Sequence, residues 1–69
     1  MYLNYLIQLN NPKLLESCLI NDKWICTDLD LKRLLTITNN IEIKKVLINY
    51  YYSEQHMQLI LSKQIARIN

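Results

Sequence analysis

The stretch Thr27–Tyr52, TDLDLKRLLTITNNIEIKKVLINYYY, decides the fold of this chain. It reads as two short amphipathic helices joined at Asn39-Asn40. Thr27 is placed to cap free backbone N–H groups, and Asp30 sits three residues on, close to a capping-box arrangement. Asp28 and Asp30 put negative charge at the positive end of the helix dipole. Leu31, Leu34 and Leu35 recur at i, i+3, i+4 and make one apolar face. Thr36, Ile37 and Thr38 lower helix propensity, and two asparagines follow, a residue type that tolerates turn geometry. The pattern restarts at Ile41-Glu42. Ile43, Val46, Leu47 and Tyr50 form the second apolar face, with Lys44 and Lys45 off it.

Toward the N-terminus, residues 2–9 read as a short helix that is apolar on most sides. Tyr2, Leu6 and Leu9 lie on one side, Leu3 and Ile7 on another, which predicts burial or an interface. Asn10-Asn11-Pro12 interrupts the chain: Asn11 suits an N-cap and Pro12 the first helical position. The next predicted helix runs from Pro12 to Ile20 with Leu15, Cys18 and Leu19 as its core face, and Asn21-Asp22-Lys23 ends it. Trp24 and Ile25 form an apolar connector, with Trp24 anchored in the core. Toward the C-terminus, Ser53 reads as an N-cap, though the run could equally continue helix four unbroken. Glu54 to Arg67 carries the best periodicity in the chain: Met57, Leu61, Ile65 and Ile68 make a stripe, widened by Ile60. Two segments resemble each other, NNPKLLESCLIN at 10–21 and NNIEIKKVLIN at 39–49. Their spacing and missing signals do not suit an ankyrin-type array, so they predict two helices with similar starts.

These elements make one all-α domain, residues 1–69, a bundle of four to five short amphipathic helices. A chain this short buries only about 60% of the surface its unfolded form exposes. Yet 51% of its residues are apolar, more than one small core can hide, which predicts a homodimer or an obligate complex. Glycine is absent, so tight turns needing positive φ fall to asparagine, as at 10–11 and 39–40. The net charge of +2 is too small to argue nucleic-acid binding without a basic stripe. Richness in Ile, Asn, Lys and Tyr suits an AT-rich genome, such as that of a phage, a virus or an acquired bacterial island. Cys18 and Cys26 fit no metal spacing and read as reduced thiols of a cytoplasmic protein. The first ten residues, MYLNYLIQLN, carry no secretory pattern, and no apolar run nears the ~18 residues of a membrane span.

The composition also argues against catalysis. His56 is the one histidine, set at the start of a helix with no nucleophile pattern around it, and reads as solvated or capping. No acidic pair is convincing, and a Gly-rich phosphate loop is impossible without glycine. The expectation is a protein that is not an enzyme and uses no cofactor or metal.

Two kinds of binding protein fit. The first is a protein-binding module, such as an inhibitor, a chaperone-like protein or a regulatory subunit. Tyr2, Tyr5, Leu6, Tyr51, Tyr52, Met57, Leu61 and Ile65 would form its apolar, tyrosine-rich surface. Of the run Tyr50–Tyr52, one ring is expected in the core and two on the rim. The second is a DNA binder. LKRLLTITNNIEIKKVL at 31–47 resembles a helix-turn-helix. Lys23-Trp24 with Asp28-Leu29 looks like the start of the first such motif of AraC-type transcriptional regulators, Ile43–Leu47 like its recognition helix, and ILSKQIA at 60–66 like the family's linker helix. The resemblance implies Asn39, Asn40, Lys44 and Lys45 at the groove, with Lys32, Arg33 and Lys63 on phosphates. The likeness departs from the family in a turn about three residues longer, in Gln64 where the linker has Arg, and in lacking a second motif. A truncated antagonist of a regulator would show the same pattern. Convergence of Lys32, Arg33, Lys44, Lys45, Lys63 and Arg67 on one face would favour DNA, and scatter would favour protein binding.

Overall fold

A computed structural model describes the backbone of residues 2–68 and the side chains of residues 3–64. The described residues form five helices: α1 (Tyr2–Gln8), α2 (Pro12–Asn21), α3 (Asp28–Ile37), α4 (Ile41–Tyr51) and α5 (Glu54–Ile68). Among the described residues there is no strand, and the fold is an all-α bundle.

Each boundary has a local cause. Asn11 accepts the Leu14 N–H at 3.1 Å and Pro12 opens α2. Thr27 and Asp30 form a reciprocal capping box: Thr27 Oγ1 accepts from Asp30 N–H and Asp30 Oδ2 accepts from Thr27 N–H. Asn40 Oδ1 accepts from Glu42 and Ile43 N–H and starts α4. α2 ends in a Schellman closure, with Trp24 N–H on Leu19 O and Lys23 N–H on Ile20 O. That closure puts Lys23 at φ 51°. Asn10 takes the other left-handed position, φ 54°, whereas the Asn39-Asn40 pair does not, because Asn40 is extended as a cap.

The core is Leu3, Leu6 and Ile7 of α1, Leu15 and Leu19 of α2, Cys26 of the connector, Leu31 and Leu34 of α3, and Ile43, Leu47 and Tyr50 of α4. These are the faces expected for α2, α3 and α4, with Cys18, Leu35 and Val46 half-buried at the margins. On α1 the expectation fails for Leu9, which is exposed. Trp24 packs against the core and stacks on Tyr50, whose hydroxyl donates to the Trp24 carbonyl.

α4 is the hub, packing against α2, α3 and α5, while α1 packs on α2. The two similar segments lie side by side. At their starts Asn40 Nδ2 donates to Asn10 Oδ1 at 3.4 Å, and at their ends Ile20 faces Asn49 and Tyr50 across one groove. α2 and α4 therefore run in the same direction and pack directly on each other, and α3, between them in sequence, packs on α4. No helix among the described residues is long and apolar enough to cross a membrane.

Candidate functional site

α4 packs on α2, α3 and α5 and leaves a broad face, Ile41, Glu42, Lys45, Ile48, Asn49 and Tyr52, in solvent. Ile41, Lys45, Ile48 and Tyr52 recur at i, i+4, i+7, i+11 and form its outer line. Ile41 is 67% exposed, Ile48 40% and Tyr52 69%, so the line is apolar apart from Lys45. Lys45 is held toward Glu42 at 3.7 Å, one turn back on its own helix. Just beyond, Met57 and Leu61 of α5 are 41% and 51% exposed.

On α5, Met57 and Leu61 of the periodic stripe stand exposed, while Ile60 of the same stripe is half-buried with Leu59, beside buried His56, and Leu61 to Gln64 are all exposed. The stripe positions Ile65 and Ile68 lie outside the described side chains.

His56 corrects the sequence reading most sharply. It is neither solvated nor a cap, and is fully buried at 0% exposure. Its Nε2 accepts the Cys26 N–H at 2.8 Å, and its Nδ1 sits 2.9 Å from the Tyr51 carbonyl. A carbonyl can only accept and an N–H can only donate, so the ring is the neutral Nδ1–H tautomer. The Tyr50 and Tyr51 rings close over it, with centroids at 5.1 and 5.6 Å. One imidazole thus ties the connector to the α4–α5 turn across 30 residues. Both nitrogens are committed to backbone groups, which leaves the ring no free nitrogen for proton transfer.

The groups around it are held in their protonated forms. Burial, helped by the Asp30 and Asp28 carboxylates, pushes the Cys26 thiol up to about 11. Burial also raises the Tyr50 phenol. Burial and then the Asp28 carboxylate raise the Tyr51 phenol, which donates to Asp28 Oδ1 at 3.4 Å. Cys26 Sγ donates to the Thr27 carbonyl, and both cysteines are free thiols.

The proposed protein-binding residues divide. Tyr5, Tyr52, Met57 and Leu61 are exposed, but Leu6 is a core residue and offers no surface. Of the three tyrosines, Tyr50 is in the core, Tyr51 is half-buried over His56 and Tyr52 is on the rim. Tyr2 and Ile65 lie outside the described side chains. Ile41 and Ile48 were missed, although their spacing with Tyr52 was visible in the sequence.

The basic residues do not gather in one cleft. Arg33 lines a cleft of about 430 Å³ between α1 and α3 with Asn4, Leu34 and Ile37. Lys63 lines another, of about 350 Å³, with Ile25, Thr27, Tyr51 and Ile60. Lys32 lies 3.9 Å from Asp28, so Lys32 and Lys45 each have a carboxylate on their own helix. Lys44 is half-buried, Asn39 exposed, and Asn40 occupied in capping α4 and bonding Asn10. Arg67 lies outside the described side chains. Among the described residues no group of three or more His, Cys, Asp or Glu is arranged to hold a metal ion. No protein-family model matches the chain, and neither a curated protein nor a solved structure matches it.

Proposed function

We propose that this chain is a small, non-catalytic helical module that binds another protein and modulates it, as an inhibitor, chaperone-like protein or regulatory subunit would. The observation that carries this reading is the outer line of α4. α4 packs on α2, α3 and α5, yet its solvent face keeps Ile41, Ile48 and Tyr52 in line among Glu42, Lys45 and Asn49, and those apolar groups gain by being covered. Tyr52 supplies the large, rigid contact with a polar tip that interfaces favour. Lys45 at its centre can lay its aliphatic stem over a partner while keeping its ammonium in water.

The experiment compares the wild type with a triple variant, Ile41→Ser, Ile48→Ser and Tyr52→Ser, as baits for co-purification. A specific protein held by the wild type and lost by the variant, with equal helical circular dichroism and equal melting, supports the reading. Equal retention by both baits overturns it.

A helix-turn-helix DNA binder, or a truncated antagonist of one, is the second reading. The observation favouring it is the connection Thr38–Asn40 between α3 and α4, three residues and so within the three or four of a helix-turn-helix, where the sequence reading expects a turn about three residues too long. Against it stand the separation of Arg33 from Lys63 and the local carboxylates beside Lys32 and Lys45. A duplex-DNA titration over a salt series decides it. Phosphate contacts give a steep fall in affinity with salt, and their absence gives no binding even at low salt.

A further inference from the structure

The break between α4 and α5 is only two residues, Tyr52 and Ser53. Tyr52 has φ −93° and ψ 5°, a few tens of degrees from helical values. Its N–H still reaches Ile48 O as a helix would, at 3.1 Å, while Ser53 N–H closes a tighter turn on Tyr50 O. The Ser53 hydroxyl fixes the kink: it donates to Tyr50 O at 2.7 Å and accepts the His56 N–H at 3.2 Å. From Ile41 to Ile68 there is neither glycine nor proline. The same segment can therefore form one straight helix of about 42 Å. The carbonyls of Tyr50, Tyr51 and Tyr52 would then accept from the N–H groups of Glu54, Gln55 and His56, replacing the bonds that hold the kink.

Straightening undocks α5 and leaves its socket open. The socket is the Cys26 N–H with the rings of Tyr50 and Tyr51, and α5 fills it with His56 backed by Leu59 and Ile60. Among the described residues α5 packs chiefly on α4, and from Leu61 to Gln64 it stands exposed. The one segment already shaped for that socket is the α5 of another copy.

We propose that α5 is an exchangeable arm: the Tyr52–Ser53 hinge straightens, and His56 of each copy docks on the Cys26 N–H of the other in a closed two-fold dimer. A hinge this short favours exchange, because it leaves little slack for the arm to fold back in the straight form. The contact uses the buried face of α5, not the outer line of α4, and so stands apart from the docking reading above.

The decisive variant is Glu54→Pro. Glu54 is the first residue of α5, where proline's missing N–H is tolerated. In a straight helix the same ring would strike the Tyr50 carbonyl and break the continuity. Light scattering and sedimentation from micromolar to millimolar concentration should show a wild-type monomer–dimer equilibrium. Glu54→Pro should associate about a hundredfold more weakly. Ser53→Ala, which removes the hydroxyl holding the kink, should raise the dimer fraction. In a mixture of differently isotope-labelled wild-type chains, contacts should appear between the His56 ring of one copy and the Cys26 amide of the other. That readout needs no variant. A wild type that stays monomeric at millimolar concentration overturns the exchange. So does a dimer that lacks the intermolecular His56 contact, or one that Glu54→Pro retains; those dimers would instead join by exposed faces and leave the docking reading standing.

Discussion

Replacing His56 by alanine is the substitution this fold should tolerate least. It removes the acceptor of the buried Cys26 N–H and the donor to the Tyr51 carbonyl, and it empties a space closed by two tyrosine rings. A buried N–H left without a partner costs roughly 1–3 kcal/mol. Truncating a large buried side chain to alanine costs roughly 2–5 kcal/mol in total, the void included. These overlap, and together they put His56→Ala at roughly 3–5 kcal/mol. A 69-residue chain has roughly 3–10 kcal/mol to lose at the usual stability per residue. His56→Ala should therefore be largely unfolded, or melt at least ~15 °C lower. His56→Gln separates the hydrogen bonds from the packing, because an amide offers one acceptor and donors of its own. It should lose only about 1–2 kcal/mol. Urea unfolding at neutral pH, followed by far-ultraviolet circular dichroism, measures all three chains. His56→Ala within about 0.5 kcal/mol of wild type, the ordinary scatter of surface changes, would refute the latch. If glutamine proves no better than alanine, ring packing rather than hydrogen bonding holds the connector.

Four further outcomes follow from the caps, the turn and the two thiols. Asn40→Ala frees the Glu42 and Ile43 N–H groups and should cost about 1 kcal/mol, whereas Asn40→Gly should cost only a few tenths; urea midpoints resolve the two. Lys23→Gly relieves a left-handed residue at φ 51° and should raise stability by about 0.5–1 kcal/mol in the same assay, the strain relieved exceeding the entropy glycine adds to the unfolded chain. The folded state holds the Cys26 proton more tightly than the unfolded chain, whose thiol titrates near its ordinary 9.0. That contribution is complete below about pH 9 and is lost as pH rises through about 11, a loss of the order of 2 kcal/mol, and Cys26→Ala should remove this share of the alkaline slope, leaving the share of the raised Tyr50 and Tyr51 phenols. In native protein a disulfide reagent should label half-buried Cys18 first and reach buried Cys26 only on unfolding.

Helices α2 to α4 were legible because their information is local. Leu15 with Leu19, Leu31 with Leu34, and Ile43 with Leu47 and Tyr50 repeat at helical spacing and are buried as that spacing implies. Asn11 and Thr27 work within three residues of themselves, so their caps could be read directly. His56 could not be read in this way. Its partners are a backbone N–H 30 residues back and a backbone carbonyl, and such groups belong to every residue and carry no sequence mark. On α5 periodicity finds the apolar stripe, and Met57 and Leu61 are exposed as a binding surface requires, but only the turn from α4 shows that His56 joins Ile60 on the inward side. Lys23 illustrates the same limit: the Schellman closure of α2 dictates a left-handed residue there, and with glycine absent a lysine bears the strain.

The surface of the molecule bears on why apolar groups remain outside. A monomer of 8.3 kDa ordinarily exposes about 4,600 Å² and has a radius of gyration near 11 Å. This chain exposes 5110 Å², has a radius of gyration of 12.4 Å and extends 40 Å along its longest axis. The excess agrees with an α5 whose described second half stands exposed rather than lying along the bundle. Folding α5 back would cover more apolar area, but His56 fixes its first turn to Cys26 and Tyr51, and a rigid helix must then continue in the direction that turn sets. The polar latch and the exposed stripe are thus one consequence of one hinge. With His56 latched inward, Met57 and Leu61 remain exposed on the same helix, and a second molecule laid over them would bury both without disturbing the latch.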